Sequence, residues 1–439
     1  MEILPKALGT RPRLAVEIRW GGVVAARAED ASTGVLTSVA RIELPINAVE
    51  PGLRAGNFRV PSDVVAAVRK TLEAVTEKGV GREVTLVVPD SAVRVLLLDF
   101  DSLPAKASEA LPVVRFRLKK LLPFDADDAA VSYQIMEGKA GGGRGGVRGG
   151  LKVVAVAIPR EVLAEYEAIV REAGFEPGAV LPSTMAVISG LGDGPEEVGQ
   201  AALIVNAGPQ AVTTAIVKGG VLLLHRSVDM SGNLQVGILA EATVTMTDAQ
   251  RESVTVPLLP LIDVEASQQE WAMQEPVDPF GRDLPTAEGL RRPGYAGGFS
   301  EDALAAEIEA HAAAEAAAYA ASQAAGRNGT RVPQPTPEQI AERAATEGYL
   351  REVTQAVSVA AAYFEDTLES SPGAVLSAGS VSAQSLGAML AEAGFGEMME
   401  AGSRIRVREV VGEESLAGQA VSSTVPKGWL AGVRGALRS

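Results

Sequence analysis

Apolar and polar positions fall into a pattern that occurs twice. Leu14-Ala15-Val16 runs into polar Glu17, continues as Ile18-Arg19-Trp20-Gly21-Gly22 and returns as apolar Val23-Val24. Leu203-Ile204-Val205 runs into polar Asn206, continues through Ala207-Gly208-Pro209-Gln210 and returns as Ala211-Val212. Each copy reads as a strand, a glycine-containing turn and a second strand. Enough chain separates them for one domain per copy. Two halves, each opened by a hairpin whose turn can approach an anion without a side chain in the way, predict a nucleotide held between lobes.

The rest of the pattern supplies further elements. Residues 35–44 read as a strand. Ser62-Asp63 caps a helix with Val64, Val65, Val68, Leu72 and Val75 on its apolar face, stopped by Gly79 and Gly81. Residues 84–88 and 93–98 read as strands, the first ended by Pro89-Asp90. A helix is expected from Leu103-Pro104 to about Leu122, with Pro112 as a kink or break. Seven of the ten residues 141–150 are glycine. They lack the Lys-Ser/Thr of a Walker motif and read as a flexible linker between strands at 130–136 and 151–158. A helix over 160–173, with Val162, Leu163, Tyr166, Ile169 and Val170 inward, stops at Gly174.

The first lobe resumes over 180–191. The second hairpin system covers 203–217 and 221–228, turned at Lys218-Gly219-Gly220. From 232 to 335 proline, glycine and alanine accumulate, which predicts loop over 276–299 and a peripheral alanine-rich helix over 303–325. Thr336-Pro337-Glu338-Gln339 has the signature of a helix start. Leu350, Val353, Val357, Ala360, Phe364 and Leu368, at three- and four-residue spacing, mark that helix as a core one. A strand over 374–377, a tight turn at Ala378-Gly379-Ser380 and a helix marked by Leu386, Met389 and Leu390 come next.

Composition narrows the chemistry. The 439 residues are 47% apolar but only 4% aromatic, so the cores are built mainly of Ala, Val, Leu and Ile. A net charge of −15 argues against non-specific nucleic-acid binding and obliges any phosphate ligand to find local donors or a metal ion. The absence of cysteine excludes disulfides, zinc–thiolate sites and thiol nucleophiles. His225 and His311 are the two histidines, too few for a multi-histidine metal site. Residues 1–13 hold no apolar signal core, and no run reaches the roughly 18 apolar residues of a membrane span. The chain reads as soluble and cytoplasmic.

In the order of these elements the chain resembles the actin-like ATPase superfamily and, within it, the PilM family of cytoplasmic components of type IV pilus machines. Five pieces carry the resemblance. They are the hairpin at 14–24; Lys120-Leu121-Leu122-Pro123-Phe124-Asp125-Ala126-Asp127-Asp128 leading to Tyr133-Gln134; Ala173-Gly174-Phe175 followed by Ala186; residues 203–226 with Thr213 and Arg226; and 353–379, where Tyr363-Phe364 precede a strand and an Ala-Gly turn. The match covers most of 12–230 and 345–438, whereas 232–335 matches poorly. The resemblance implies an α/β, actin-like (ribonuclease-H-like) two-lobed fold. A small α+β subdomain would be inserted in lobe 1 and an enlarged, divergent insertion in lobe 2. Lobe 1 would take 10–80 and 179–199 around a partner-binding subdomain at 81–178. Lobe 2 would take 200–231 and 341–439 around the insertion at 232–340.

The resemblance also implies a site. In the superfamily one acidic side chain per hairpin faces a metal ion and its waters, and turn amides hold phosphates. Glu17 is then the metal-water ligand, and Asn206 stands where an aspartate is expected, so the ATPase-type site is degenerate. The nucleotide-binding positions would be Trp20, Gly21, Gly22, Asn206, Gly208, Gln210, Ala211, Ala378, Gly379 and Ser380, with ATP and Mg2+ as ligands. Trp20 either obstructs the phosphate site or stacks, and Arg19 is placed to replace metal charge. Retention of the hairpins purely as sheet framework stays open.

The partners implied are the N-terminal tail of a PilN-type membrane protein, received by the 80–160 region, and other pilus components including motor ATPases. No nucleic acid and no transmembrane segment of its own are expected, and the location is cytoplasmic, peripheral at the inner membrane. The basic run Arg115, Arg117, Lys119 and Lys120 is either a contact for an acidic partner or a solvated helix face. The amphipathic end, 429–438, is placed as a last helix packed against the second lobe. A scaffold is the leading function. A working ATPase or small-molecule kinase, and a type II secretion cytoplasmic scaffold, are the alternatives.

Overall fold

The computed structural model describes residues 12–30, 32–77, 81–137, 150–191, 201–230, 337–368, 374–392, 407–417 and 425–438. The glycine run at 141–149 and the loop and alanine-rich helix expected over 232–335 lie outside them. All described residues but 337–340 belong to one compact unit, Met1–Ala242 with Ala341–Ser439.

Strands β1 (Leu14–Arg19), β2 (Gly22–Ala28) and β3 (Leu36–Glu43) form an antiparallel meander. Helix α1 (Pro61–Val75) leads to β4 (Glu83–Val88), parallel to β1. A small sheet comes next: β5 (Arg94–Phe100), α2 (Ala107–Leu118), β6 (Ala129–Glu137) and β7 (Leu151–Pro159), with strand order β5-β7-β6. Helix α3 (Arg160–Glu172) and β8 (Glu176–Pro182) complete the first sheet in the order β3-β2-β1-β4-β8, and α4 (Ser183–Ser189) leads out of it.

The second lobe repeats the plan. Strands β9 (Ala201–Ala207), β10 (Ala211–Lys218) and β11 (Val221–Asp229) are succeeded by α5 (Pro337–Leu368), β12 (Ala374–Gly379), α6 (Ala383–Glu392) and β13 (Val407–Glu409). The order β11-β10-β9-β12-β13 again sets three antiparallel strands beside two parallel ones. Helix α7 (Lys427–Leu437) ends the described chain.

The register shows the repeat to be structural. Glu17 lies opposite Val24 on β2 and Val87 on β4. Asn206 lies opposite Thr213 on β10 and Ala378 on β12. In each sheet the polar residue thus sits on the central strand, between an antiparallel and a parallel neighbour. Strands β1 and β9 are covered on both faces, which is why they read as unbroken apolar runs on either side of that one residue.

Three local expectations change. Helix α1 starts with Pro61 in its first turn behind Val60, which offers no capping group, so Ser62 is inside the helix rather than its cap. Pro112 stays inside an unbroken α2; the carbonyl it leaves without a partner four residues earlier belongs to exposed Ser108. On α5, among the residues whose burial is described, Tyr349, Val353, Val357, Ala360 and Phe364 are deep, so Tyr349 joins the stripe while Leu350 is only partly buried.

A fourth change concerns the last helix. Instead of packing on the second lobe, α7 lies against α4, β1, β2 and β4 of the first, touching the second through β12. Glycines make this approach: a Cβ on Gly435 would collide with the carbonyl oxygen of Ala186, and one on Gly190 would sit 3.0 Å from the Cα of Gly435. Arg434 and Arg438 donate Nη1 to the Gly190 carbonyl at 2.9 and 3.0 Å, closing the C-terminal end of α4. One hydrophobic core therefore runs from α1 and the first sheet through α4 and α7 to Ile204, Ala215 and Ala378 of the second. Strand β11 meets the inserted sheet at β5 and β6 and touches the short turn Asp90–Ala92. There His225 is half-buried with Nε2 sealed from solvent. Burial lowers its pKa against the opposing pull of the Asp90 charge.

Gly435→Ala should lower unfolding free energy by about 3 kcal/mol, as overpacking against backbone does, measurable by urea denaturation. Because His225 resists protonation in the folded state, the unfolded chain binds more protons below about pH 6.5, and stability falls with acidification. His225→Phe should flatten that slope relative to the parent when thermal midpoints are compared from pH 7.5 to 5.

Candidate functional site

The two repeated polar residues meet where α4 begins. Glu17 is fully buried. Its Oε1 accepts from Ser183 Oγ at 2.7 Å and is ion-paired with Arg19 Nε at 2.8 Å. Ser183 Oγ in turn accepts from Asn206 Nδ2 at 3.0 Å. One serine at the first turn of α4 thus links the first hairpin to the second.

Asn206 has a clear physical role in this arrangement. Its Nδ2 also points at Thr184 Oγ1, 3.0 Å away, and Asp90 Oδ2, 3.3 Å away. Asp90 takes the Thr184 amide at 3.0 and 3.3 Å and the Thr184 hydroxyl at 2.5 Å. It acts as an N-cap for α4, whose own N-cap position is Pro182 and has no side-chain acceptor. A carboxylate at 206 would face a second carboxylate, whereas the amide supplies the donor that Asp90 and both hydroxyls need.

On the other side of Glu17 lies α7. Glu17 Oε2 has no hydrogen-bond partner and rests against Gly432, where a Cβ would overlap it. One turn earlier the buried Trp429 indole is held by two guanidiniums, Arg41 at 4.2 Å and Arg19 at 5.1 Å from the ring centre. Burial lowers the pKa of Arg41, with Glu43 pulling it up and Arg19 down. Trp20-Gly21 form the two-residue turn of the β1–β2 hairpin, and Trp20 is buried. A Cβ on Gly22 would stand 2.7 Å from the Ile42 carbonyl oxygen and 3.5 Å from the Trp429 ring. Packing against β3 and α7 therefore accounts for that glycine.

The second-lobe positions gather beside Asn206. Ala378 and Gly379 pair with Asn206 and Ala207 across β12 and β9. Ser380 donates both its amide, at 2.8 Å, and its hydroxyl, at 3.1 Å, to the Ala207 carbonyl. The Gly208 amide donates to Ala211 O at 2.9 Å, and Gln210 O accepts from Met230 N at 2.8 Å. Nearby, Glu409 Oε1 accepts from the Ala383 amide at 2.7 Å, so a protein carboxylate sits at the N-terminus of α6. Burial raises its pKa despite that hydrogen bond and the Lys427 charge.

Asn206, Ala378, Gly379 and Ser380 are thus brought together, with Asn206 and Ser380 engaged within the chain, while Gly21 and Gly22 lie against α7 at the first hairpin and the buried Trp20 Nε1 has no hydrogen-bond partner. Mg2+ wants a near-octahedral shell with several waters. Glu17 has no open face for such a shell: Ser183 and Arg19 take one oxygen and Gly432 covers the other. Among the described residues no group of three or more His, Asp or Glu is placed to hold a metal. As arranged, the residues do not fit a magnesium site of the expected kind, and Arg19 provides the positive charge that Glu17 requires. Sequence reading missed Asp90, Ser183, Thr184 and Trp429. Asp90 looked like a strand terminator, and Ser183-Thr184 carried no local signal beyond their place after Pro182.

No protein-family model matches the chain, and no curated protein matches its sequence. Among solved structures, the PilM-PilN type IV pilus biogenesis complex is similar over 97% of this chain and 98% of that one, at 14% identity with a TM-score of 0.58. The cytoplasmic domain of EpsL, an inner membrane component of the type II secretion system of Vibrio cholerae, covers 49% of this chain and 70% of its own at 14% identity, TM-score 0.31. MreB 5 of Spiroplasma citri bound to AMPPNP covers 98% and 95% at 12% identity, TM-score 0.32. The paired lobes, the shared strand order and the end-to-end likeness to the PilM-PilN structure give this chain the actin-like ATPase two-lobed α/β fold.

Proposed function

We propose that the chain is a cytoplasmic actin-like scaffold of type IV pilus biogenesis. It binds the N-terminal tail of a PilN-type inner-membrane protein and couples it to the pilus motor. The observation that carries this is the likeness to the PilM-PilN structure over nearly the whole of both chains. No helix of the described residues is long and apolar enough to cross a membrane. The lobe junction supports a scaffold over a turnover enzyme, because Glu17 is ion-paired with Arg19 and linked through Ser183 and Asn206 to Asp90, which leaves one Glu17 oxygen against Gly432 rather than open to a metal. The inserted sheet with α2 is the element offered to the partner.

A second reading keeps ATP with Mg2+ in the cleft, as the fold invites. It requires Arg19 to leave Glu17 and α7 to draw back from it.

A synthetic PilN-type tail should bind the full chain at micromolar concentration, equally with and without Mg-ATP, by fluorescence anisotropy; no binding at several hundred micromolar would sink the scaffold reading. Asn206→Asp should cost about 2 kcal/mol by losing a buried donor and facing Asp90 with like charge, measured by urea denaturation. It should also bring no Mg-ATP-dependent rise in thermal midpoint. A rise, or steady phosphate release, would favour the nucleotide reading.

A further inference from the structure

The register of the first sheet brings four charges to one face. Glu17 lies opposite Val24 and Val24 opposite Arg41, while Arg19 lies opposite Gly22 and Gly22 opposite Glu43. Residues directly opposite share a face of a sheet, as do residues two apart on one strand. Glu17, Arg19, Arg41 and Glu43 therefore stand together, on the face that Trp429 and Gly432 of α7 cover. Gly22 leaves a gap among them, and the Trp429 ring enters it, 3.5 Å from where a Cβ on Gly22 would be. Arg41 and Arg19 lie against that one ring, their guanidinium carbons 4.2 and 5.1 Å from its centre.

Donors outnumber acceptors here. Arg19 spends Nε on Glu17, and its Nη2 is buried without a partner. Arg41 Nε is buried without a partner too, and Arg41 Nη2 meets only Glu43, 3.4 Å away and 73% exposed. The buried Trp20 Nε1, in the turn after Arg19, is a third donor with no acceptor. The remaining acceptor, Glu17 Oε2, is held against Gly432. Buried donors are nearly always paired, so three orphans on neighbouring positions mark the absence of an acceptor that the chain does not supply. The like charges also stand close: burial first, and the Arg19 charge as well, push the Arg41 pKa down against the pull of Glu43. Both guanidiniums still reach the surface, with 14% of the Arg19 side chain and 24% of Arg41 exposed.

We propose that Arg19 and Arg41 form a receptor for a phosphate-type oxyanion, free phosphate or a small phosphoester, taken without a metal ion. Guanidinium forks match phosphate oxygens in pairs, and a tetrahedral dianion has oxygens enough for two forks at once. Its charge offsets the repulsion between the two arginines, and the same two arginines repel a divalent cation. Arg19 serves from where it stands on Glu17. The site therefore rests neither on the pilus reading nor on the opening of the cleft that magnesium would require.

The test is a tryptophan fluorescence titration of the full chain carrying Trp271→Phe, which leaves Trp20 and Trp429 to report. Sodium phosphate and glycerol 3-phosphate are added in EDTA, each in exchange for sodium acetate at constant ionic strength. At least one should give a saturable change, and the one that saturates at lower concentration names the source of the phosphate. Arg41→Gln should weaken binding on the order of tenfold, as loss of a charged hydrogen-bonding partner does. Arg41→Lys, which keeps the charge but not the fork, should weaken it less, and Arg59→Gln, at an exposed guanidinium elsewhere, should leave it unchanged. Melting curves without phosphate control for folding; if Arg41→Gln melts early, Arg41→Lys carries the comparison. No saturable change, an undiminished response from both Arg41 variants, or binding that appears only when Mg2+ replaces EDTA would overturn the proposal.

Discussion

A carboxylate shut off from water must find a counter-charge inside the protein, and Glu17 is such a group. Left alone it would cost several kcal/mol, the usual penalty for breaking a buried ion pair. Arg19, two residues along the same strand, provides the charge. Ser183 donates to Glu17 and is thereby turned to accept from Asn206, which donates onward to Asp90. The chain of dependence runs from the first hairpin through the start of α4 to the second hairpin. The hydrogen bonds Ser183 to Glu17 and Asn206 to Ser183 exist only while the two lobes keep this relation, so the polar junction specifies how the halves meet.

The apolar side of the same junction depends on small residues. Gly190 and Gly435 let α4 and α7 approach until backbone touches backbone, and Gly432 lets α7 lie directly over Glu17. The arginines of α7 then reach back to close the end of α4. Polar network and glycine contact support each other, because neither helix can shift without exposing the carboxylate or opening the core shared by both sheets. A junction built in this way ties the two lobes together through both its polar and its apolar contacts.

Much of the architecture was legible in the residues. The strand–turn–strand repeat, the 3.6-residue stripes of α1, α3 and α5, and the Gly219-Gly220 turn appear where the pattern put them. So did the pairing of Glu17 and Asn206 as matching positions, while Arg19, expected to replace metal charge at an anion, lies against the Glu17 carboxylate. Other features were read differently. Asn206 looked like a damaged metal ligand; in place it is the donor that Asp90 and two hydroxyls share. The basic run of α2 looked uniform until Arg115 turned inward and Lys119 found Asp127.

The chain's own order of residues determined local matters: period, turn chemistry, the repeat, and the exclusion of cysteine and multi-histidine chemistry. These arise from backbone geometry acting over a few residues. Only the tertiary structure decided what each polar group faces. Ser183 reaches Glu17 across 166 residues, and Thr184 reaches Asp90 across 94. The docking of α7 on the first lobe belongs with these, since it rests on glycine-to-backbone contacts that no periodicity encodes. Such contacts are set by packing in space, where the penalty for an unpaired buried group is levied, and neighbours along the chain carry no record of them.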